Sequence, residues 1–235
     1  MSEEARDAVL ERLRRALHRR GPGATEARNT VLARMAKPAL GLIPARAELD
    51  REGRIQLFAA QAEAVQATVR RLRRYDMLPE AVERYLRERN LPMRLVVASD
   101  RLLGRADWRR TMLSLHAGRA EDADAVGLTV AFAAIAETGT LMLRSAPATP
   151  TLLAFLPETS IVVVPAARVL RAYEDGLRLL QEEEGGLPRS VNFVTGPSRS
   201  GDIEQTLQLG AHGPRRLHVV VVDEAVAADG DASRA

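Results

Sequence analysis

The chain contains several short segments in which apolar residues follow one another without interruption. RLVVA at residues 94–98, IVVV at 161–164 and LHVVVV at 217–222 are the clearest of them. A strand that is apolar on both faces is typical of a parallel sheet buried between other layers. Because helical segments separate these strands, the pattern predicts an α/β fold with right-handed crossover connections.

A tight turn adds an antiparallel element to that prediction. Residues 135–137 and 140–143 have strand character and are joined at Thr138-Gly139, a dipeptide that suits a hairpin. A hairpin makes its two strands antiparallel. The sequence therefore predicts a mixed sheet that is mostly parallel.

The chain divides into three predicted parts. Residues 1–54 are expected to form an amphipathic helix followed, from residue 21, by an extended arm, because the arm shows no sustained period. Residues 55–224 are expected to form the α/β domain, which begins with a helix at 55–73. Residues 225–235 also lack a period and predict a disordered tail.

The composition excludes several kinds of chemistry. The 235 residues include no cysteine, which rules out disulfides, thiolate nucleophiles, cysteine-held zinc and cysteine-ligated iron–sulfur clusters. Lys37 is the only lysine, which argues against Schiff-base chemistry and a Walker-type phosphate site. No dinucleotide fingerprint, serine elbow or zinc spacing is present. No cofactor is therefore bound by cysteine, and the identity of any other cofactor stays open.

The charge of the chain is distributed unevenly. Residues 1–120 contain 25 basic and 15 acidic side chains, a net charge of +10, whereas residues 121–235 contain 9 and 16, a net charge of −7. The basic half could face nucleic acid, an acidic partner or an anionic ligand, and solvated arginine-rich helices are the simpler explanation. No segment has the length of a membrane span, and the charged N-terminus lacks an apolar signal core. The expected location is the cytoplasm.

The motif AETGT at residues 136–140 is the first candidate site. Glu137 ends a strand beside the turn and could act as a base, a nucleophile or an acceptor for a hydroxyl group. Gly139 would let a bound molecule approach the backbone closely. The competing interpretation is an ordinary turn with an exposed glutamate, and turn residues of this kind are common.

The segment GPSRSGDIE at residues 196–204 is the second candidate site. A predicted strand leads into it and a short helix is predicted to follow, so free N–H groups and the helix dipole would attract an anion. Arg199 adds a forked donor, and Ser198, Ser200 and Asp202 belong to the same anion site. Ordinary N-capping by Ser200 or Asp202 explains the pattern equally well.

Both motifs are expected at one edge of the sheet. A carboxylate on one loop and an arginine on the other would suit a small acid that carries a second polar group. His212 follows the short helix and could return to the same edge as a catalytic base, or could simply be a turn residue. The predicted pocket is lined by Glu137, Thr138, Gly139, Thr140, Ser198, Arg199 and Ser200.

Three motifs occur together in one order: FAAIAETGTLML, LPETSIVVVP and VNFVTGPSRSGDIEQTLQLGAHGP. In combination they resemble the LUD-domain family, densely over about residues 126–222 and more loosely over 55–73 and 94–98. The resemblance implies a three-layer α/β/α sandwich like that of CoA transferases and ribose-phosphate isomerases. It also implies a part in oxidising L-lactate to pyruvate beside iron–sulfur proteins of the same system. Relatives tend to have a small-acidic pair at Val130-Ala131, so no acidic role is expected there.

Three functions stay open at this point. A cluster-free accessory or substrate-binding component of a lactate-oxidising system follows from the resemblance and from the missing cysteine ligands. A stand-alone enzyme acting on a phosphorylated or CoA-linked small molecule follows from the anion-ready loop beside Glu137, by fold-level analogy. A nucleic-acid-binding module would use the basic half, although no aromatic platform or recognised motif supports it.

Overall fold

Parallel strands form the centre of the larger of two compact units, Ile43–Ala235; the smaller unit is Met1–Leu42. The computed structural model describes residues 3–17, 22–36, 41–184, 188–200, 208–210 and 212–225. The helices are α1 (Glu3–Ala16), α2 (Pro22–Ala36), α3 (Arg51–Ala64), α4 (Leu78–Glu88), α5 (Leu152–Phe155) and α6 (Tyr173–Glu184). The strands are β1 (Thr68–Leu72), β2 (Arg94–Val97), β3 (Ser114–Ala117), β4 (Val126–Val130), β5 (Ala133–Ile135), β6 (Thr140–Arg144), β7 (Thr159–Pro165), β8 (Val169–Leu170), β9 (Val191–Val194), β10 (Arg199–Ser200), β11 (Gln208–Leu209) and β12 (Arg216–Val222).

Six of these strands form a parallel main sheet in the order β1-β12-β7-β4-β2-β3. Side chains alternate between the two faces of a strand, and both faces of β12 are buried. Val220 and Val222 pack in the same cluster as α4, whereas Val219 and Val221 pack in the cluster that contains α3. Burial on both faces is the reason why β7 and β12 are apolar without interruption.

A second sheet of four strands has the order β8-β5-β6-β9. β5 and β6 form the predicted hairpin, with Ile135 opposite Thr140, and β6 is also antiparallel to β9. Leu141 faces the cluster shared with α3 and the main sheet, whereas Met142 faces Leu180 of α6. The predicted three-layer sandwich with a mixed, mostly parallel sheet is confirmed, and its antiparallel pairs lie in this second sheet.

The predicted extended arm is wrong over residues 22–36, which form α2. Pro22 occupies the first helical position, where the N–H that proline lacks would have no partner inside the helix. Apolar residues are spread around α2 instead of forming one stripe, so the period of the sequence does not reveal the helix.

The predicted helix at 55–73 is also wrong in its second half. α3 ends at Ala64, because Gln66 adopts a left-handed φ of 68° that a helix does not continue through. The residues that follow form β1, an edge strand paired in parallel with β12. Arg70 and Arg71 are exposed there, which hides the strand from a search for apolar runs.

One other predicted helix starts at a later residue, and another lies largely outside the described residues. The helix predicted from Pro165 begins at Tyr173, because residues 169–170 first add β8 to the second sheet. After Pro197, Arg199 and Ser200 form the antiparallel pair of β10 with β11, and the short helix predicted next falls outside the described residues. Residues 201–207 lie outside the described residues, as does the predicted tail beyond Ala225. Among the described helices, none is long and apolar enough to cross a membrane.

Candidate functional site

Four hydroxyl groups meet where the hairpin and the end of β9 lie side by side. Thr140 is fully buried, and its Oγ1 lies 2.7 Å from Thr138 Oγ1, 2.9 Å from the Tyr173 hydroxyl and 2.6 Å from Thr195 Oγ1. Thr138 Oγ1 also donates to the Tyr173 hydroxyl at 3.1 Å. This hydroxyl cluster shows that the hairpin and the loop after β9 share one edge of the second sheet.

Two glycines allow the backbone of these loops to pack directly against helix α3 and the residue after it. Gly139 has a φ of 67°, and a Cβ there would lie 2.6 Å from the carbonyl carbon of Gln61. Gly196 has a φ of 75°, and a Cβ there would lie 2.6 Å from the carbonyl oxygen of Val65. The backbone of α3 and the residue after it therefore occupy the space that the sequence assigned to a ligand beside Gly139.

A cavity of about 440 Å³ opens beside the second loop, and we call it the Ser198 cavity. Its polar side chains are Thr195, Ser198, Arg199 and His212, and its apolar wall includes Val65 and Phe193. The Arg199 guanidinium donates weakly to the carbonyl oxygen of Val65, at 3.4 Å, so most of its donors remain for a ligand. The volume lies within the range of about 300–1,000 Å³ that is usual for small-molecule sites.

Both backbone groups of Ser198 in this loop are already hydrogen-bonded. The Ser198 N–H donates to the carbonyl oxygen of Pro214 at 2.8 Å, and the Ser198 carbonyl accepts from the N–H of Gly210. Arg199 and Ser200 then pair with β11. An anion in the Ser198 cavity would consequently take its hydrogen bonds from side chains and not from the N–H of Ser198.

The residues of the predicted pocket lie in different parts of the structure. Ser198, Arg199 and His212 line one cavity, and the hydroxyl cluster reaches it through Thr195. Ser200 lies on β10, and Asp202 is outside the described residues. Residues 137–140 are not part of the lining of the Ser198 cavity, and the pocket shared with Glu137 stays a prediction.

Glu137 has a different environment from the exposed strand end that a simple turn would give. Its side chain is buried, with 8% of the residue exposed. The Glu137 N–H donates to the carbonyl oxygen of Arg171 at 3.2 Å, and its own carbonyl accepts from Arg46 Nη2 at 3.5 Å. A catalytic role for Glu137 stays a prediction, and it would have to act outside the Ser198 cavity.

Sequence reasoning missed a second cavity, of about 150 Å³, at the carboxyl ends of β2, β4 and β7. We call it the carboxyl-edge cavity. The guanidinium groups of Arg144 and Arg168 lie 4.9 Å and 5.3 Å from the centre of the Phe132 ring. The available signal was topological, because ligands of open α/β sheets bind outside the carboxyl ends of the strands. The other polar residues of its lining are Asp100, Thr149 and Glu183.

His218 is the histidine with the most distinctive surroundings. Its ring stacks on Tyr85 at 3.9 Å, and its Nδ1 lies 2.8 Å from Thr68 Oγ1. Burial is the largest of the causes that lower the pKa of His218 to about 4, and Arg89 adds to the shift. The histidine is therefore a neutral core residue at neutral pH. Across the described residues, no group of three or more histidine, cysteine or acidic side chains could hold a metal ion.

The fold and the sequence both have known counterparts. The family model of the LUD domain matches residues 116–222. The lactate utilization protein C of Geobacillus kaustophilus is 36% identical over 120 residues, half of each chain, and that of Shouchella clausii is 36% identical over 108 residues, 45% of this chain and 47% of the relative. The chain spans about half the length of the curated relatives it matches.

A solved structure extends the similarity to most of the chain. The crystal structure of a DUF162 family protein from Deinococcus radiodurans superposes with a TM-score of 0.55 at 22% identity, covering 74% of this chain and 99% of that one. At that identity the likeness concerns the fold alone. Residues 116–222 thus resemble the LUD domain in sequence, and the fold as a whole resembles that of the DUF162 family protein.

Proposed function

We propose that this chain is a cluster-free component of a system that oxidises L-lactate to pyruvate. The observation that carries the proposal is the 36% identity of its LUD-domain region to proteins named lactate utilization protein C. Oxidation of lactate releases a pair of electrons, and the 235 residues contain no cysteine that could ligate a cluster to accept them. Iron–sulfur proteins of the same system would accept the electrons, and this chain would bind the small-molecule anion, in the cytoplasm.

The Ser198 cavity supports a role in ligand binding. Arg199 would pair with the anionic group, because its planar donors fit a carboxylate or a phosphate in a forked geometry. Ser198 and His212 provide polar groups on the same wall. Thr138 and Thr140 would act through Thr195, as positioning residues that hold its hydroxyl at the cavity.

A growth experiment tests the proposed function. Deletion of the gene in the organism that encodes it should abolish growth on L-lactate as the sole carbon source and leave growth on pyruvate unchanged. A plasmid copy of the intact chain should restore growth on L-lactate. Normal growth of the deletion strain on L-lactate would refute the proposal.

Variants in the same strain test the predicted residues. Arg199→Gln should restore growth on L-lactate poorly, because it removes the cation of the Ser198 cavity. Glu137→Gln keeps the shape of the side chain and removes its charge, so a loss of growth would assign Glu137 a chemical role. Glu158→Gln is the matched control, since the Glu158 side chain is exposed and its pair with Arg216, at 3.8 Å, lies at the surface. Full growth with Glu137→Gln would remove Glu137 from the mechanism.

The size of the Ser198 cavity favours a second candidate, a stand-alone enzyme for a phosphorylated or CoA-linked molecule. Its 440 Å³ equals the liquid volume of about fifteen water molecules, which is more than a three-carbon acid fills. Equilibrium titration with CoA, ribose phosphates and nucleotides tests this candidate. Saturable binding that Arg199→Gln weakens would favour it, and no binding at about 1 mM ligand would count against it.

A further inference from the structure

We propose that the carboxyl-edge cavity is a second ligand site, built for a small carboxylate that carries a neighbouring hydroxyl group. The cavity lies where β2, β4 and β7 end, so Asp100, Phe132 and Arg168 each follow a parallel strand. The carboxyl ends of parallel strands are the edge at which sheets of this kind bind ligands. Arg144 joins the same cavity from the end of β6.

The Phe132 ring contacts the side chains of both arginines of the site. The ring is nearly buried, with 8% of the residue exposed, and both guanidinium groups lie within the distance of a cation–π contact. A guanidinium that stacks on a ring keeps its N–H groups in its own plane, where a carboxylate can accept a forked pair of hydrogen bonds.

The acidic side chains of the cavity are already engaged in different ways. Glu183 accepts from Arg168 Nη2 at 2.7 Å, while Arg168 Nη1 has no hydrogen-bond partner among the described residues. Asp100 Oδ1 accepts from the N–H of Leu102 at 2.8 Å. The second carboxylate oxygen of Asp100 can accept from a hydroxyl group, so the lining offers a donor for the carboxylate and an acceptor for the hydroxyl of one ligand.

The volume limits the size of that ligand. At about 30 Å³ for each water molecule in the liquid, 150 Å³ corresponds to about five waters, the size of a three-carbon acid. Val130, Ala131 and Pro165 give the wall an apolar part that suits a methyl group. The geometry points to a short 2-hydroxy acid, and the choice of L-lactate as the probe rests on the proposed function.

Calorimetric titration of the full chain tests the site. L-Lactate should bind saturably, and propionate, which lacks only the hydroxyl group, should bind about tenfold more weakly, a factor that corresponds to about 1.4 kcal/mol. Arg144→Gln should weaken L-lactate binding at least about tenfold, whereas the surface variant Glu158→Gln should leave it unchanged. Asp100→Asn keeps the acceptor for the Leu102 N–H, and it should bring the affinities for L-lactate and propionate close together.

A variant that keeps every charge guards against a folding defect in Arg144→Gln. Ala148→Met should fill the cavity from its lining and abolish L-lactate binding while the thermal unfolding temperature stays close to that of the intact chain. No saturable binding at about 10 mM L-lactate, or L-lactate binding that Arg144→Gln leaves unchanged, would overturn the inference. Growth on L-lactate is measured separately, so loss of this site and loss of the proposed function give different results.

Discussion

The Ser198 cavity and the carboxyl-edge cavity of the larger unit are built in opposite ways. The Ser198 cavity is formed by loops after β9 that rest on the end of α3, and its Phe193 is 42% exposed. The carboxyl-edge cavity is formed at the ends of strands in the main sheet, around a Phe132 that is 8% exposed. The first cavity is large and is lined mainly by loop residues, whereas the second is small and is lined by residues at the ends of strands. The sequence motif at residues 196–204 thus pointed to the cavity that is lined by loops, whereas no sequence motif marks the cavity at the strand ends.

The largest expected effect concerns the attachment of the loops to α3. Gly139→Ala should lower the free energy of unfolding by about 2–4 kcal/mol, because the new Cβ overlaps the α3 backbone and Gly139 has a positive φ. Urea unfolding measures the loss. Gly104→Ala is the control, since a Cβ at Gly104 meets no atom within 4 Å. A change of less than about 0.5 kcal/mol in Gly139→Ala would show that α3 does not hold the hairpin.

The next effect concerns the stability of the main sheet, which contains His218 in β12, as the pH falls. His218 has a folded pKa of about 4, below its ordinary value of 6.5, so the unfolded chain binds the proton more readily. Stability should therefore fall as the pH drops from 6.5 towards 4, by roughly 2 kcal/mol between pH 7.5 and pH 5. Above pH 5 the carboxylates add little to this slope.

His218→Asn provides the comparison for that titration. The variant should be less stable at every pH, because it loses the stacking on Tyr85, and its stability should be nearly flat between pH 7.5 and pH 5. Chemical unfolding at a series of pH values measures both slopes. The same slope in the intact chain and in His218→Asn would show that another group is responsible.

The hydroxyl cluster should distinguish the two cavities. Thr140→Val removes the hydroxyl that contacts Thr138, Tyr173 and Thr195, and should cost about 1.5 kcal/mol of stability because buried partners lose hydrogen bonds. Ligand binding in the Ser198 cavity should weaken with the loss of an ordered Thr195. Binding of L-lactate in the carboxyl-edge cavity should stay the same, and an equal loss in both cavities would contradict their independence.

The smallest expected effect concerns the aromatic platform. Phe132→Leu keeps an apolar side chain but removes the ring beneath Arg144 and Arg168, a contribution of about 0.5–1 kcal/mol for each cation–π contact. L-Lactate affinity should fall by a few-fold, and binding in the Ser198 cavity should be unaffected. Phe193→Leu is the matched control in the other cavity. A tighter L-lactate complex in Phe132→Leu would show that the ring does not organise the two arginines.

Much of the fold could be predicted where the local pattern and the tertiary environment agree. β7 and β12 are buried on both faces, so their apolar runs were visible in the sequence. β1 could not be recognised, because it is an edge strand with two exposed arginines, and its partner β12 lies almost 150 residues away. Arg199 and Ser200 could not be recognised as a strand either, because they pair with β11 in a segment that has the local signals of a helix start.

The candidate site shows the same limit. The sequence by itself determined which groups are available: arginines without cysteine, a hairpin at Thr138-Gly139 and polar residues after β9. Only the tertiary structure decided which of them meet, because register brings Thr140 to Thr195 and places Glu137 outside the Ser198 cavity. Packing likewise places Gly139 against the backbone of α3, where the sequence predicted a ligand. Residue types and local periodicity can be read from the sequence, whereas contacts between distant strands depend on how the strands pair and how the sheets pack.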